Sequence, residues 1–573
     1  MKIRWKILAV ILAISVIAGC VGEKPGTEIG KGIESEKTAD KVSTQGNIKI
    51  DSIVFTRTGV QVSLKEDAQV ILTDVYNNNS KIASQNVNSK AKDVFIDFNW
   101  EPKKQYKIEV QTSNGATSSS VYAPSKPTAI KLGEIKLGDV EPELQNQTFT
   151  SLKGELAFSP DGRYLVAGTH TGYIKVIETA TFNLVFEKRI SESSINVFDI
   201  SSDSRYLVLG EQSVDGYVYA FELSSGKELW RFRTGDEIGS DIKNRPAVRR
   251  TTVVGNTAYA VAYRTVKGPD QYNYMTRIYA FDIESGRVLW RYPENEVMDS
   301  ASCWVSVSPD GKYISFDTWD YTIGGKRVER KYPDGQQVVL NSEGKKLWSY
   351  DKPILPYHGS SYGYRGFGFS KDGKYLIGTD NYGVGYLFDN EEIIKKGKVS
   401  PLWSKNISTA IEISGVPIYG SLTYANILGE NVIFTVGNTY IPSKSKSAKY
   451  STAPVEHPNG NTLLVYNLKG DLLWKWKVES YAGMMTYSND ERFLVFPLHK
   501  NLITKNIDVH GVYVFDNAAK GGATSKLAYI YKTQGVVVAA AISLDGKYIA
   551  ATEAPLRLDD GRVIGEYKVH ILN

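Results

Sequence analysis

A strand, a tight turn and a second strand recur along most of this chain, written each time in nearly the same residues. The unit is Phe158-Ser159-Pro160-Asp161-Gly162-Arg163-Tyr164-Leu165. It returns as Ser201-Ser202-Asp203-Ser204-Arg205-Tyr206-Leu207, Ser308-Pro309-Asp310-Gly311-Lys312-Tyr313-Ile314 and Ser370-Lys371-Asp372-Gly373-Lys374-Tyr375-Leu376. It returns again as Ser488-Asn489-Asp490-Glu491-Arg492-Phe493-Leu494 and Ser543-Leu544-Asp545-Gly546-Lys547-Tyr548-Ile549, with looser copies at 253–259 and 427–433. The chemistry is local: Asp or Asn caps a turn, Gly takes positive φ, and an aromatic packs behind. Copies about 40–60 residues apart are each one supersecondary unit that cannot bury its apolar face alone, so they must stack.

A second unit follows the anchors. Ala220-Phe221-Glu222-Leu223-Ser224-Ser225-Gly226-Lys227-Glu228-Leu229-Trp230 and Ala280-Phe281-Asp282-Ile283-Glu284-Ser285-Gly286-Arg287-Val288-Leu289-Trp290 share one spacing, with degenerate copies at 340–348, 387–403 and 466–474. These units resemble the repeats of quinoprotein-type (PQQ-repeat) β-propellers. The Ser-Pro-Asp-Gly anchors are similar to those of WD-repeat propellers. The resemblance spans residues 126–573 and implies an all-β, eight-bladed β-propeller, with seven blades as the alternative. Each tryptophan is expected to dock one blade on the next. The last unit, ending at Tyr567–Leu572, lacks an outermost strand, and Thr128–Ile135 has no partner of its own. Pairing the two would complete the last blade and remove exposed edges.

The N-terminus supplies an address. Lys2, Arg4 and Lys6 precede the apolar run Ile7–Ile17, too short for a bilayer span of ~20 residues. Ile17-Ala18-Gly19-Cys20 resembles the prokaryotic lipobox, which implies a signal peptide over 1–20 and a lipid on Cys20. Residues 21–46 are polar and read as a flexible tether. The expected location is the extracytoplasmic face of the cell membrane. Residues 47–125 alternate with period two, with strands near 48–56, 60–64, 69–75, 94–98 and 105–111. They read as an immunoglobulin-like β-sandwich acting as a spacer.

Composition and motifs exclude more than they assign. The formal charge of +5 falls to +2 once residues 1–19 are removed, which disfavours a nucleic-acid binder. With Cys20 and Cys303 the only cysteines, a disulfide framework is not expected. The six His show no zinc-ligand spacing, and no calcium loop is present. Gly359-Ser360-Ser361-Tyr362-Gly363 matches a nucleophile elbow, but in a loop between blades rather than a strand-to-helix turn. Quinone-dependent dehydrogenases of the resembled family often stack adjacent cysteines on the cofactor, and none are adjacent here. No cofactor, metal ligand or catalytic residue is assigned, and a monomer is expected.

Loop lengths locate the working face. Turns between first and second strands are short. The loops at 264–276, 317–336, 437–461, 497–510 and 553–565, with the interblade loops at 234–249, 351–365 and 404–420, are long and should gather on the opposite side. Those nearest the channel hold Arg249, Arg250, Asp299, His358, Tyr362, Tyr364, Arg365, Tyr419 and Tyr481, the candidate binding residues. Arg and aromatic side chains at a rigid mouth suit a protein, peptide or glycan partner. The expectation is therefore a non-catalytic, surface-anchored scaffold. An extracytoplasmic quinone-dependent oxidoreductase is the alternative.

Overall fold

The computed structural model describes residues 39–573 apart from 47, 49, 66, 75–79, 88–92, 148–151, 196, 270, 320–321, 324–325, 355–366, 381, 443–449 and 481–482. Strand accounts for 53% and helix for 3%, so the chain is all-β as its turn-rich sequence requires. The signal and lipobox lie outside the described residues, as does most of the tether.

Two sheets come first along the chain. One has the order Ala39–Gly46, Thr117–Pro124, Tyr106–Thr112, Ala68–Asp74, Ser80–Val87; the other is Ile50–Phe55, Gly59–Leu64, Asp93–Asp97. Alternation sends Phe55, Val62, Leu72, Tyr106 and Ile108 into a shared core, closed by Trp100, whose Nε1 donates to the Thr56 carbonyl at 2.6 Å. One boundary moves: residues 39–46, read as the end of the tether, form a strand paired with 118–124. An edge strand needs only backbone hydrogen bonds from its neighbour, so its polar composition does not forbid it.

The repeats build, among the described residues, seven four-stranded antiparallel sheets and one of six strands. The first runs Glu155–Phe158, Tyr164–Gly168, Tyr173–Glu178, Leu184–Arg189. Each anchor forms the turn its residues dictate. The Ser159 hydroxyl donates to Asp161 at 2.7 Å and accepts from Tyr164 N at 2.9 Å, while Gly162 sits at φ 72°. The same bonds recur at Ser201, Ser308, Ser370, Ser488 and Ser543. Two anchors put a side chain where the others have Gly: Ser204 and Glu491, each at φ 59°.

Tryptophans join consecutive sheets. Trp230 Nε1 donates to the Ile283 carbonyl at 2.7 Å, Trp290 to Ser342 at 2.8 Å and Trp403 to Leu468 at 2.9 Å. The receiving turn must carry Gly: a Cβ on Gly286, at φ 71°, would lie 2.5 Å from the Trp230 ring. Trp348 uses a different acceptor, the Asn390 side chain at 2.8 Å, because a helix at Asn390–Lys396 replaces that turn.

The last sheet is Val536–Ile542, Ile549–Ala554, Lys568–Leu572 and Lys131–Lys136. Thus the strand before the first repeat pairs with the end of the chain, as its lack of a partner predicts. The first strand of this sheet packs on that of the first sheet, so the repeats close on themselves as a β-propeller. The segment after Lys136 then crosses one face, where Glu143–Leu144 pairs with Leu556–Arg557.

The small two-sheet unit sits on the face of short anchor turns. Its Arg57, 3% exposed, reaches the final anchor: Nε to Tyr529 Oη at 3.2 Å, Nη2 to the Lys547 carbonyl at 3.1 Å, and Nη1 to the Gly546 carbonyl. The guanidinium lies 5.2 Å over Phe493, and Lys547 faces Asp97 at 3.5 Å. Among the described residues these contacts all fall on that face.

Candidate binding face

Antiparallel connection puts second-to-third turns and interblade loops on one side. One hairpin rises there, Thr257–Lys267 paired with Tyr272–Asp282 over eleven-residue strands, and beside it the long strands Val416–Leu428 and Asn431–Pro442, joined at an anchor turn on the opposite side, extend their far ends. Around them the loops present large apolar side chains to solvent, with Ile242 76% exposed, Ile354 41% and Val455 43%. Loops held by a rigid frame are where binding residues are commonly carried. A cleft of ≈ 430 Å³ opens beside them between the loops at 190–193 and 211–215.

The channel behind the loops is spanned by side chains from sheets far apart in sequence. Arg250 Nη1 meets Glu155 Oε1 at 3.3 Å, and its guanidinium lies 4.3 Å from the Trp304 ring centre. Trp304 stands edge-on to Tyr424 at 6.3 Å and donates to the Phe367 carbonyl at 3.0 Å. Asp199 accepts from Val253 N at 2.8 Å. Burial pushes the Glu155 carboxyl up to about 7, against the pull of Arg250, and burial likewise raises Asp199. Glu155 Oε2 and Arg250 Nε are buried without a hydrogen-bond partner.

Arg249 lies one residue from this bridge, 5.5 Å over the Tyr263 ring and beside the Cys303 thiol. Cys303 is 2% exposed, and burial raises its thiol to about 11, against the pull of Arg249, so it stays protonated at neutral pH. Of the expected residues, then, Arg249 and Arg250 come together. Asp299 holds a neighbouring loop, accepting from Lys331 N and Tyr332 N at 2.9 Å each. Tyr419, 5% exposed, packs on Tyr440 and Leu502. His358, Tyr362, Tyr364, Arg365 and Tyr481 lie outside the described residues, as does the Gly359–Gly363 pattern. Among the described residues no group of three or more His, Cys, Asp or Glu could hold a metal ion, and no helix is long and apolar enough to cross a membrane.

Sequence reasoning missed Glu155, Asp199, Trp304 and Tyr424. A signal existed. Glu155 and Trp304 both stand four residues before an anchor serine, Ser159 and Ser308.

Ring closure, anchors and tryptophan docking together define the class, a repeat-built β-propeller with an elaborated face. Residues 196–354 match the family model described as outer membrane protein assembly factor BamB, and residues 148–178 match that of the WD domain, G-beta repeat. The quinoprotein-like and WD-like character of the repeats is thereby shown for those segments. No curated protein matches the chain by sequence. Among solved structures, the crystal structure of BamB from Moraxella catarrhalis is 13% identical, with a TM-score of 0.45, covering 78% of this chain and 100% of that one.

Proposed function

We propose that this chain is a non-catalytic scaffold that binds a protein partner through its long-loop face. It is held outside the cytoplasmic membrane by a lipid on Cys20. In this reading the repeats form eight blades. The small unit is an immunoglobulin-like spacer whose docking on the short-turn face aims the other face away from the anchor. The observation that carries the reading is that asymmetry: one face is occupied by the chain's own small unit, while the other presents the tall hairpin of Thr257–Lys267 and Tyr272–Asp282 and exposed Ile242 and Val455. The match of residues 196–354 to an assembly-factor model supports a scaffold over an enzyme.

The test is crosslinked capture from native membranes with the full lipoprotein as bait, beside Ile242→Asp with Val455→Asp, and Lys312→Glu on the short-turn face. A partner retained by wild type and Lys312→Glu and lost by the double variant is expected. Equal loss from the short-turn variant, or no partner at all, would overturn the reading.

A further inference from the structure

On the long-loop face a buried carboxylate is held by neutral donors alone. Glu211 follows the second strand of its sheet, Tyr206–Gly210, and lines the ≈ 430 Å³ cleft between the loops at 190–193 and 211–215. It is 4% exposed. Its Oε1 accepts from the Ser213 hydroxyl at 2.8 Å and from Tyr217 N at 3.3 Å. The arginines around the cleft are committed elsewhere. Arg233 Nε meets Asp215 at 2.7 Å, Arg245 Nε donates to the Ile242 carbonyl at 3.3 Å, and Arg189 lies 6.0 Å from the Tyr173 ring centre. Burial raises the Glu211 carboxyl against its hydrogen bonds, and the like charge of Asp215 adds to the rise.

The repeats show that this position does not need a charge. Thr169, Glu211 and Asp380 each stand directly after a second strand, and each backbone amide donates to the first carbonyl of the third strand, at 2.9, 3.2 and 3.0 Å. Thr169 caps its turn with a neutral hydroxyl, which accepts from Tyr173 N at 2.9 Å. Asp380 caps with a carboxylate, accepting from Tyr382 N and Val384 N at 2.9 Å each, and there Lys352 supplies a positive charge. Glu211 is the charged cap that no cation answers among the described residues, and it is the one that opens on the cleft. A buried carboxylate held this way is costly unless something bound returns the missing charge. Tyr217 and Tyr219, ring centres 5.4 Å apart, line the same cleft and suit an alkyl chain that ends in a cation.

We propose that this cleft takes a lysine or arginine side chain of the protein partner, with Glu211 as its counter-ion. The inference rests on the long-loop face being the working face, but its test uses a synthetic peptide and no native partner, so the two fail separately. The probe is acetyl-tetralysine amide, titrated calorimetrically against the full chain, beside the same peptide with every side-chain amine acetylated. Wild type is expected to bind the first saturably and the second at least about tenfold more weakly, since acetylation removes the charge-assisted bond. Glu211→Gln should lose about tenfold or more in affinity for the first. Its amide oxygen still accepts from Ser213 and Tyr217, so the turn is kept, and melting at or above the wild-type temperature shows that the variant folds. Gln212→Lys places a cation on the exposed rim of the cleft and should also lose the peptide, with Glu211 left in place. Asp236→Asn, which alters an exposed carboxylate outside the cleft, should bind as wild type does. Butylamine, a lysine side chain without a backbone, should bind far more weakly than the peptide. No saturable binding, equal affinity for the acetylated peptide or for butylamine, unchanged binding in both Glu211→Gln and Gln212→Lys, or equal loss in Asp236→Asn would overturn the inference.

Discussion

Arg57→Ala tests whether the small unit and the propeller behave as one body. The side chain is almost fully enclosed and supplies three hydrogen bonds to one turn and its neighbour, with Phe493 beneath it. Charge-assisted hydrogen bonds cost roughly 1.5–3 kcal/mol each to lose. The ring contact adds about 1 kcal/mol. Against this, the variant no longer carries the several kcal/mol needed to desolvate a guanidinium. The net loss is about 2–4 kcal/mol of coupling between the units. Among the described residues the other polar links are Lys547 with Asp97 at 3.5 Å and over the Phe95 ring at 5.7 Å, Lys126 to the Thr524 carbonyl at 3.4 Å, and Thr128 N to the Phe55 carbonyl at 2.9 Å. Calorimetry should resolve one transition for wild type and two for Arg57→Ala. Proteolysis of the connection between Pro124 and Lys131 should accelerate. Arg57→Lys should fall between, since one ammonium cannot reach all three acceptors. An unchanged single transition with unchanged proteolysis would refute the idea that this arginine fixes the unit on the short-turn face.

Three further outcomes are open to measurement. Trp348→Phe leaves the fully buried Asn390 carbonyl oxygen without its donor, and should cost about 1–3 kcal/mol in chemical denaturation. Glu491→Gly relieves a side chain at φ 59° and should stabilise by ~0.5–1 kcal/mol. Ser204→Gly at the same φ should not gain, because the Ser204 hydroxyl accepts from Asp161 N at 3.0 Å. Burial works against a charged Glu553, but bonds from His570 Nε2 and Gly535 N, each 2.6 Å, outweigh it and hold the carboxyl below its ordinary value. The unfolded chain then binds more protons, so this stability is complete above the ordinary carboxylate range and drains away as pH falls through the folded value. Glu553→Gln should accordingly cost most near neutral pH and least in strong acid, followed by unfolding midpoints across pH.

What the sequence makes legible is what neighbours in the chain decide. The anchor turns depend on a serine and an aspartate two residues on, followed in four of the six by a glycine, so six turns with the same bonds follow from six similar strings. The pairing of Lys131–Lys136 with Lys568–Leu572 is long-range yet legible, because an orphan strand and an incomplete repeat have only each other. The bridge Glu155–Arg250–Trp304–Tyr424 is not legible in this way, since it depends on how far round the ring each sheet stands. Asp299 and Tyr419 show the converse. Polar and aromatic residues near a channel are recruited by their own loops whenever a backbone amide or another ring is closer than the channel.

That difference bears on function. Residues satisfied by their own loop have nothing left to offer a ligand, whereas Glu155 Oε2, Arg250 Nε and His170 Nδ1 are buried without hydrogen-bond partners. The small unit meanwhile covers the side where turns are short and alike, and where binding would find little to distinguish one blade from another. Specific recognition needs unequal loops. The chain has placed them opposite its own docking surface, and the proposed scaffold role would use that irregular face.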